Sequence, residues 1–158
     1  MRSIVFICSS SKREGLGHFI RCFNIASGIN NLNSKVNIYF DGDFCKFALS
    51  KIKNQNFKLI EEKKRYIILK KSILIFDSYF HDQKKIKEFT TNGLISIKID
   101  DFNKYNLSGV DCVINFRAGA ENEVYNSSKS LLGLKYYPFP KDLIQIRRKT
   151  NIPLNGSA

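Results

Sequence analysis

The chain has few residues of the kind that bind metals: its 158 residues include two histidines and four cysteines. The cysteines, Cys8, Cys22, Cys45 and Cys112, form no C-x-x-C pair, and their spacing matches no zinc-binding pattern. Cys8 and Cys112 lie in apolar runs that are typical of strands. The sequence therefore predicts buried free thiols in a reducing cytoplasm rather than a disulfide, and it predicts no metal site.

Long hydrophobic segments are also absent. No apolar run approaches the roughly 18 residues that indicate a membrane-spanning helix. Met1-Arg2 precedes only about six apolar-leaning residues, and no small-residue cleavage site follows, so we expect no signal peptide. The hydrophobic fraction of 43% argues against disorder, and 158 residues suit one domain with a real core. These absences predict a cytoplasmic protein.

Acidic residues are scarce relative to basic ones, 14 Asp and Glu against 26 Lys and Arg, which leaves a net charge of +12. The lysines are spread along the chain, and only Arg147-Arg148-Lys149 forms a compact cluster. Solvated helix faces are the favoured interpretation of this excess. An anionic substrate, peripheral contact with an anionic inner membrane surface, and nucleic acid are the other interpretations. No zinc finger, RNP motif or helix-turn-helix is visible, so no nucleic acid is expected.

Apolar, β-branched runs alternate with helical patterns along the chain. The runs are continuously apolar, which is typical of parallel strands buried on both faces. They predict strands at 3–9, 36–40, 57–60, 73–77, 94–99 and 112–116. Helical spacing predicts helices at 17–30, 44–54 and 82–92, with a further short helix within 121–132 and an ambiguous segment at 61–71. The predicted fold is α/β, a Rossmann-like parallel sheet with helices on both faces.

We expect this domain to cover residues 1–140, with 141–158 forming an interdomain linker or tail and a second domain absent. Ligands of such sheets bind beyond the carboxyl ends of the strands. Polar residues follow five of the predicted strands: Ser9-Ser10-Ser11, Asp41 with Asp43, Asp77-Ser78-Tyr79, Asp100-Asp101, and Asn115-Phe116-Arg117. Part of this pattern is expected in any protein, because Asp, Ser and Asn are common in loops and helix caps.

The loop after the first strand is the most informative segment, because it joins a strand, small residues and a helix start. Its backbone N–H groups suit an anionic ligand. Gly15-Leu16-Gly17 begins a dinucleotide fingerprint, but Ile20 stands where the third glycine belongs. No G-K-[ST] and no G-x-S-x-G follows, so a P-loop and a serine hydrolase are disfavoured. The sequence accordingly predicts no bound cofactor.

His18 and Arg21 lie one turn apart near the start of the first predicted helix. The positive end of the helix dipole favours a neutral imidazole, which can act as a general base. Arg21 could hold a substrate phosphate or pair with Asp77 or Asp100. The alternative is structural: His18 caps the helix and Arg21 forms a salt bridge to the sheet edge.

Several motifs, in order, resemble the N-terminal half of the UDP-sugar hydrolases of pseudaminic acid biosynthesis. These enzymes are related to spore-coat polysaccharide proteins and, more distantly, to glycosyltransferases with two Rossmann domains (the GT-B fold). The resemblance covers about residues 1–145. It rests on Gly-x-Gly-His-x-x-Arg-Cys at 15–22, strands ending in Asp77-Ser78-Tyr79 and Asp100-Asp101, the strand at 111–115, and Gly133 through Tyr137.

The resemblance implies that His18 is the general base that activates water to attack the anomeric carbon, with UDP as the leaving group. It places Tyr79 in the cleft, and it implies that Asp77, Asp100 and Asn115 shape the sugar side or hold the loops. With the loop itself, the candidate substrate-binding residues are Ser10, Gly15, Gly17, Arg21, Asp77, Tyr79, Asp100 and Asn115. A UDP-sugar and a second Rossmann-like domain or chain are the implied partners, because the family binds most of the UDP there.

Two alternatives remain open at this point. The chain could be the acceptor-binding half of a glycosyltransferase of surface polysaccharide biosynthesis, in which the same histidine deprotonates an acceptor hydroxyl. It could also be a binding domain without catalytic activity.

Overall fold

The computed structural model describes residues 3–81 and 83–140, together with 143, 145 and 146. Within residues 3–81 and 83–140 the chain forms seven strands and four α-helices. The strands are β1 (Ser3–Ile7), β2 (Asn37–Asp41), β3 (Lys58–Leu59), β4 (Ser72–Phe76), β5 (Ile95–Ile99), β6 (Cys112–Asn115) and β7 (Ser130–Leu132). The helices are α1 (Gly17–Leu32), α2 (Lys46–Asn54), α3 (Arg65–Lys70) and α4 (Gln83–Asn92). The predicted linker or tail at 141–158 lies outside the described residues, apart from three positions, as does Asp82.

All seven strands join one sheet in the order β3-β2-β1-β4-β5-β6-β7, and every pair is parallel. The predicted Rossmann-like parallel sheet is therefore confirmed. Ile7 at the end of β1 lies opposite both Asp41 of β2 and Phe76 of β4. The carboxyl ends of these three strands consequently meet at one edge of the molecule.

Two hydrophobic cores lie on opposite faces of the sheet, because successive side chains of a strand point to opposite sides. On one face, α1 and α2 pack against the sheet through residues such as Phe19 and Ile52. On the other face, α3 and α4 do so through Leu69 and Phe89. The chain thus leaves β1 toward one face and β4 toward the other. The crevice at this change of direction is where open parallel sheets bind ligands.

The predicted helix within 121–132 is wrong. That segment forms a 3-10 turn at Ala120–Asn122 and then strand β7. The N–H of Val113 bonds the carbonyl of Lys129 at 2.9 Å, and the N–H of Gly133 bonds the carbonyl of Asn115 at 2.8 Å. The open edge of β6 offers backbone groups that need partners, and this tertiary pairing outweighs the local helical tendency.

The segment at 61–71, which the sequence left ambiguous, forms a 3-10 turn at Glu62–Lys64 that leads directly into α3. In the part of the chain that the structure describes, no helix combines the length and the apolar character needed to cross a bilayer.

Candidate active site

His18 and Asp77 form the centre of the site. His18 is the second residue of α1 and is only 3% exposed, while Asp77 follows β4 and is fully buried. The Nδ1 of His18 lies 2.7 Å from Oδ1 of Asp77. A carboxylate can only accept, so this contact assigns the ring hydrogen to Nδ1 and leaves the lone pair on Nε2. His18 does not cap α1, because the cap position is Leu16.

Asp77 is held ionised by its neighbours. Burial alone would raise the pKa of its carboxyl group, but hydrogen bonds from Arg21 and His18, together with their charges, hold that pKa below its ordinary value. Arg21 donates through Nε to Oδ2 of Asp77 and through Nη2 to Oδ1, the latter at 2.6 Å. This two-point contact fixes the carboxylate plane as well as its charge.

Arg21 reaches a second carboxylate through its remaining nitrogen. Nη1 lies 3.0 and 2.8 Å from the two oxygens of Asp101. Burial opposes the charge on Arg21, yet Asp77 and Asp101 outweigh it and raise the pKa of the guanidinium. Of the expected partners, Asp77 is found, whereas Asp101 takes the place of Asp100. All three guanidinium nitrogens are thus engaged within the protein, and Arg21 is a positioning group rather than a free phosphate ligand.

A buried lysine supports the site from below. Lys98, the penultimate residue of β5, is 2% exposed, and its ammonium donates to the carbonyl oxygens of Ser78 at 3.2 Å and Ile99 at 2.6 Å. Burial disfavours its charge and lowers the pKa of the ammonium, although neighbouring carboxylates oppose the shift. Lys98 therefore ties the carboxyl ends of β4 and β5 together beneath Asp77.

A cleft of about 430 Å³ opens above these groups. Its walls include His18, Arg21, Tyr79 and Tyr137. The rings of Tyr79 and His18 meet edge to face with centroids 4.3 Å apart, and the hydroxyl of Tyr79 donates to Asp101 at 3.0 Å. Among the described residues nothing hydrogen-bonds to Nε2 of His18. The histidine thus has one nitrogen fixed by the protein and one available to a ligand in the cleft.

The loop residues play different parts. Gly15 has a backbone φ of +72°, a left-handed conformation that favours glycine. Gly17 begins α1, lines the cleft, and has no atoms within 4 Å of the place where a side chain would begin. Ser10 is buried outside the cleft, and its hydroxyl accepts the N–H of Cys45 at 2.9 Å. Ser10 thus anchors the loop to the start of α2.

Part of the expected anion-binding backbone is already in use. The N–H of Ser10 bonds Asp43, those of Ser11 and Glu14 bond serine hydroxyls, and that of Gly15 bonds the carbonyl of Ser11. The loop is consequently held by its own hydrogen bonds. No side chain of the cap residue Leu16 bonds the first N–H groups of α1, so within the described residues this helix start is left for an anionic ligand.

Asp100 and Asn115 belong to a separate network around Tyr125. The Tyr125 hydroxyl donates to Asp100 at 3.0 Å and accepts from the side-chain amide of Asn115 at 2.9 Å. Asp100 also accepts the backbone N–H groups of Phe102 and Asn103. Burial, with the charge of Asp100, raises the pKa of the Tyr125 hydroxyl. This network holds the loops that follow β5 and β6, one of the two roles that the resemblance implies for these residues.

Sequence reasoning missed three members of the site region: Asp101, Lys98 and Tyr125. Lys98 could have been recognised from the sequence, because a lysine within a strand that is buried on both faces needs a buried partner. Tyr125 could not, because its segment was expected to be helical. Within the described ranges, no group of three or more His, Cys, Asp or Glu side chains is arranged to hold a metal ion.

The four cysteines are free. Cys8 and Cys22 are buried and Cys112 is half-buried, but Cys45 is exposed, contrary to the expectation of buried thiols. Cys45 lies immediately before α2, where the helix begins at the protein surface.

Comparison with known proteins adds no relative. Neither protein-family models, nor curated proteins, nor solved structures match the chain.

Proposed function

We propose that this chain supplies the general-base half of a nucleotide-sugar enzyme of the UDP-sugar hydrolase type. His18 accepts a proton from water through Nε2 while the water oxygen attacks the anomeric carbon and UDP departs. The observation that carries the proposal is the 2.7 Å contact between Nδ1 of His18 and Asp77 in a histidine that lines the cleft. A positioned base of this kind contributes roughly 10²- to 10⁴-fold to a rate.

The pair supports both halves of the proton transfer. Before the transfer, Asp77 fixes the tautomer whose Nε2 carries a lone pair. After the transfer, the ring is an imidazolium, and the ionised carboxylate 2.7 Å away stabilises it. Arg21 keeps that carboxylate ionised in a buried setting. The three residues therefore act as one unit, with His18 as the catalytic residue and the other two as positioning groups.

The cleft fits a small polar substrate with one apolar face. Tyr79 and Tyr137 supply aromatic walls, and Asn24 supplies an amide at the rim. Sites for small molecules combine apolar surfaces with a few polar groups that set orientation. The guanidinium of Arg21 is already bound to two carboxylates, so the diphosphate needs cationic or N–H partners elsewhere. A second Rossmann-like domain or chain across the cleft would supply them, in keeping with the resemblance.

A glycosyltransferase is the second candidate, because His18 could equally deprotonate a sugar or lipid-linked acceptor hydroxyl. The observation that favours it is the segment 46–71, in which eight exposed lysines lie among exposed apolar side chains such as Tyr66 and Ile67. Such a surface suits an enzyme with a membrane-bound acceptor.

The test measures UDP release from a panel of UDP-sugars by the chain alone and together with the product of any adjacent reading frame. His18→Gln is expected to reduce turnover by about 10²-fold or more. His81→Gln, which changes the other histidine, is the matched control and should retain activity. Full activity of His18→Gln would overturn the general-base role. Transfer only when an acceptor is added would identify the glycosyltransferase, and nucleotide-sugar binding without turnover would identify a binding domain.

A further inference from the structure

The folded chain concentrates its positive charge at one place. Residues 46–71 contain eight lysines and Arg65 against Glu61 and Glu62, a formal net charge of +7 within a total of +12. All eight lysines are exposed. They lie on α2, on the edge strand β3, and on the segment that leads through α3. The eight lysines of this one segment therefore flank the edge strand β3, from α2 before it to the end of α3 after it.

Exposed apolar side chains lie among these lysines. They are Phe47, Leu49, Leu59, Tyr66 and Ile67, each at least 40% exposed, with Tyr66 at 61% and Ile67 at 58%. We call the surface formed by these five side chains and the eight lysines the β3 edge. Single exposed apolar residues are ordinary, but five of them within 26 residues of basic sequence form a distinct surface.

The β3 edge is continuous across the sheet. A depression on one side is lined by Leu49 and Lys53 of α2 and by Leu59. A depression on the other side is lined by Leu59 again, together with Lys64 and Ile68. Leu59 on β3 thus joins the two helical flanks. The strand itself ends the sheet, because it pairs only with β2 among the described strands.

Lysines and aromatic rings are paired along this surface. The ammonium groups of Lys51, Lys58 and Lys70 lie 5.6 Å from the ring centroids of Phe47, Tyr39 and Tyr66, respectively. In each pair the ammonium lies over the face of the ring, a cation–π contact that holds a charge and an aromatic side chain together at the surface. Aromatic side chains and lysines with this arrangement are typical of the boundary between lipid acyl chains and headgroups.

We infer that the β3 edge docks on an anionic lipid bilayer. Charge complementarity selects an anionic partner, and the aliphatic members Leu49, Leu59 and Ile67 favour a lipid surface over nucleic acid. The segment contains eight lysines and one arginine, which also favours a lipid surface over nucleic acid. Arginine rather than lysine supplies planar, two-point recognition of phosphates and bases. This inference does not rest on the proposed function.

Docking at the β3 edge leaves the cleft free. The cleft lies at the carboxyl ends of β1 and β4, and β1 is separated from β3 by β2. Two strand spacings place the edge about 10 Å from β1 within the sheet. The bilayer therefore covers a side of the molecule without closing the site.

The test is co-sedimentation of the full chain with vesicles of phosphatidylcholine alone and of phosphatidylcholine mixed with phosphatidylglycerol, at low and high salt. We expect binding only to the mixed vesicles, weakened by salt. The variant Lys53→Gln/Lys63→Gln/Lys71→Gln should bind about 100-fold more weakly, since each lysine near an anionic surface contributes about fivefold. Its matched control is Lys104→Gln/Lys129→Gln/Lys135→Gln, which removes the same charge outside the β3 edge and should bind nearly as the parent does.

A second variant separates the apolar contribution. Tyr66→Ser/Ile67→Ser changes two exposed side chains and leaves every charge in place. Its affinity for the mixed vesicles should be about tenfold weaker than that of the parent. Thermal unfolding confirms that each variant is folded. The inference is overturned if the parent chain ignores mixed vesicles at low salt, if both triple variants lose binding equally, or if a single-stranded oligonucleotide binds more tightly than the vesicles.

Discussion

Nη2 of Arg21 lies 2.6 Å from Oδ1 of Asp77, the same oxygen that accepts the ring hydrogen of His18. One carboxylate oxygen thus links a permanent cation to an imidazole. Because Asp77 is fully buried, its charge depends on these two partners. The competence of His18 therefore depends on a residue one helical turn away that need not touch the substrate.

Replacing Arg21 by Gln should shift the pH profile of activity. In the native protein the lowered pKa of Asp77 contributes stability that is present above its unfolded value, and this stability is lost as the pH falls through the folded pKa. Without Arg21, burial dominates and the pKa of Asp77 rises, so the acid limb of activity moves to higher pH. The stability that the ionised carboxylate contributed toward neutral pH is lost, because burial now favours the protonated form. We also expect a stability loss of about 3–5 kcal/mol, because a buried charge loses its partner.

Denaturant unfolding and UDP release across a pH series measure both effects. The matched control is Arg13→Gln, since the guanidinium of Arg13 lies over the ring of exposed Phe80, 3.8 Å from its centroid. An acid limb that stays in place in Arg21→Gln would contradict the role assigned to this arginine.

Replacing Asp77 by Asn should change the tautomer of His18. The native carboxylate requires the hydrogen on Nδ1, whereas an asparagine amide can donate to that nitrogen and move the hydrogen to Nε2. Loss of the anion and of the tautomer together should lower turnover by about 10⁴-fold. Nitrogen chemical shifts of the imidazole report the tautomer directly. A native spectrum with hydrogen on Nε2 would refute the assignment.

Replacing each of the two glycines of the first loop by alanine should change the stability of the protein in opposite directions. Gly15→Ala places a side chain at a φ of +72° and should cost about 1–2 kcal/mol of stability. Gly17→Ala adds a methyl group in open space at the start of a helix, so stability should hold or rise by up to about 1 kcal/mol. That methyl group enters the cleft, however, and should reduce activity. Unfolding midpoints and turnover of the same samples separate the two effects, and equal stability loss in both variants would contradict them.

Cys45 should be the thiol that alkylates first. Hydrogen bonds from the backbone N–H of Ala48 and from Ser10 lower the pKa of this exposed thiol. Cys22 should react last, since burial raises the pKa of its thiol well above the ordinary value. Iodoacetamide labelling followed by peptide mass spectrometry gives the order, and Cys45→Ser should remove the fast phase. Fast labelling that persists in Cys45→Ser would show that another thiol is the reactive one.

The sequence predicts the architecture well because burial on both faces leaves a strong mark: continuous apolar runs indicated six of the seven strands. It also brings His18, Arg21 and Asp77 to one edge, since parallel strands end together. The sequence does not indicate which of Asp100 and Asp101 pairs with Arg21. Neighbouring residues at a strand end point in different directions, so a shift of one residue decides which carboxylate meets Arg21. β7 was missed because it has only three residues, Ser130–Leu132, and follows polar residues instead of lying in a long apolar run.

His81 should make the protein less stable in mild acid. Its ring packs against Phe76 and Phe89, and its Nδ1 is buried with no hydrogen-bond partner among the described residues. Burial, reinforced by the charge of Lys98, lowers the pKa of His81 from 6.5 to about 4. Between pH 4 and pH 6.5, His81 is protonated in the unfolded chain but neutral in the folded protein. Stability should therefore fall as the pH drops from 6.5 to 4, by about 1.4 kcal/mol per pH unit, and it is unaffected by this group above 6.5.

His81→Gln removes the titrating ring and should flatten the stability profile across that window. Lys129→Gln, which changes an exposed side chain away from this ring, serves as the control and should keep the slope. The acid-side loss that belongs to Asp77 is separate, because its lowered pKa places that loss below the ordinary carboxyl range. Denaturant midpoints at a series of pH values distinguish the two groups. A slope in His81→Gln equal to that of the parent would show that His81 accepts its proton as readily folded as unfolded.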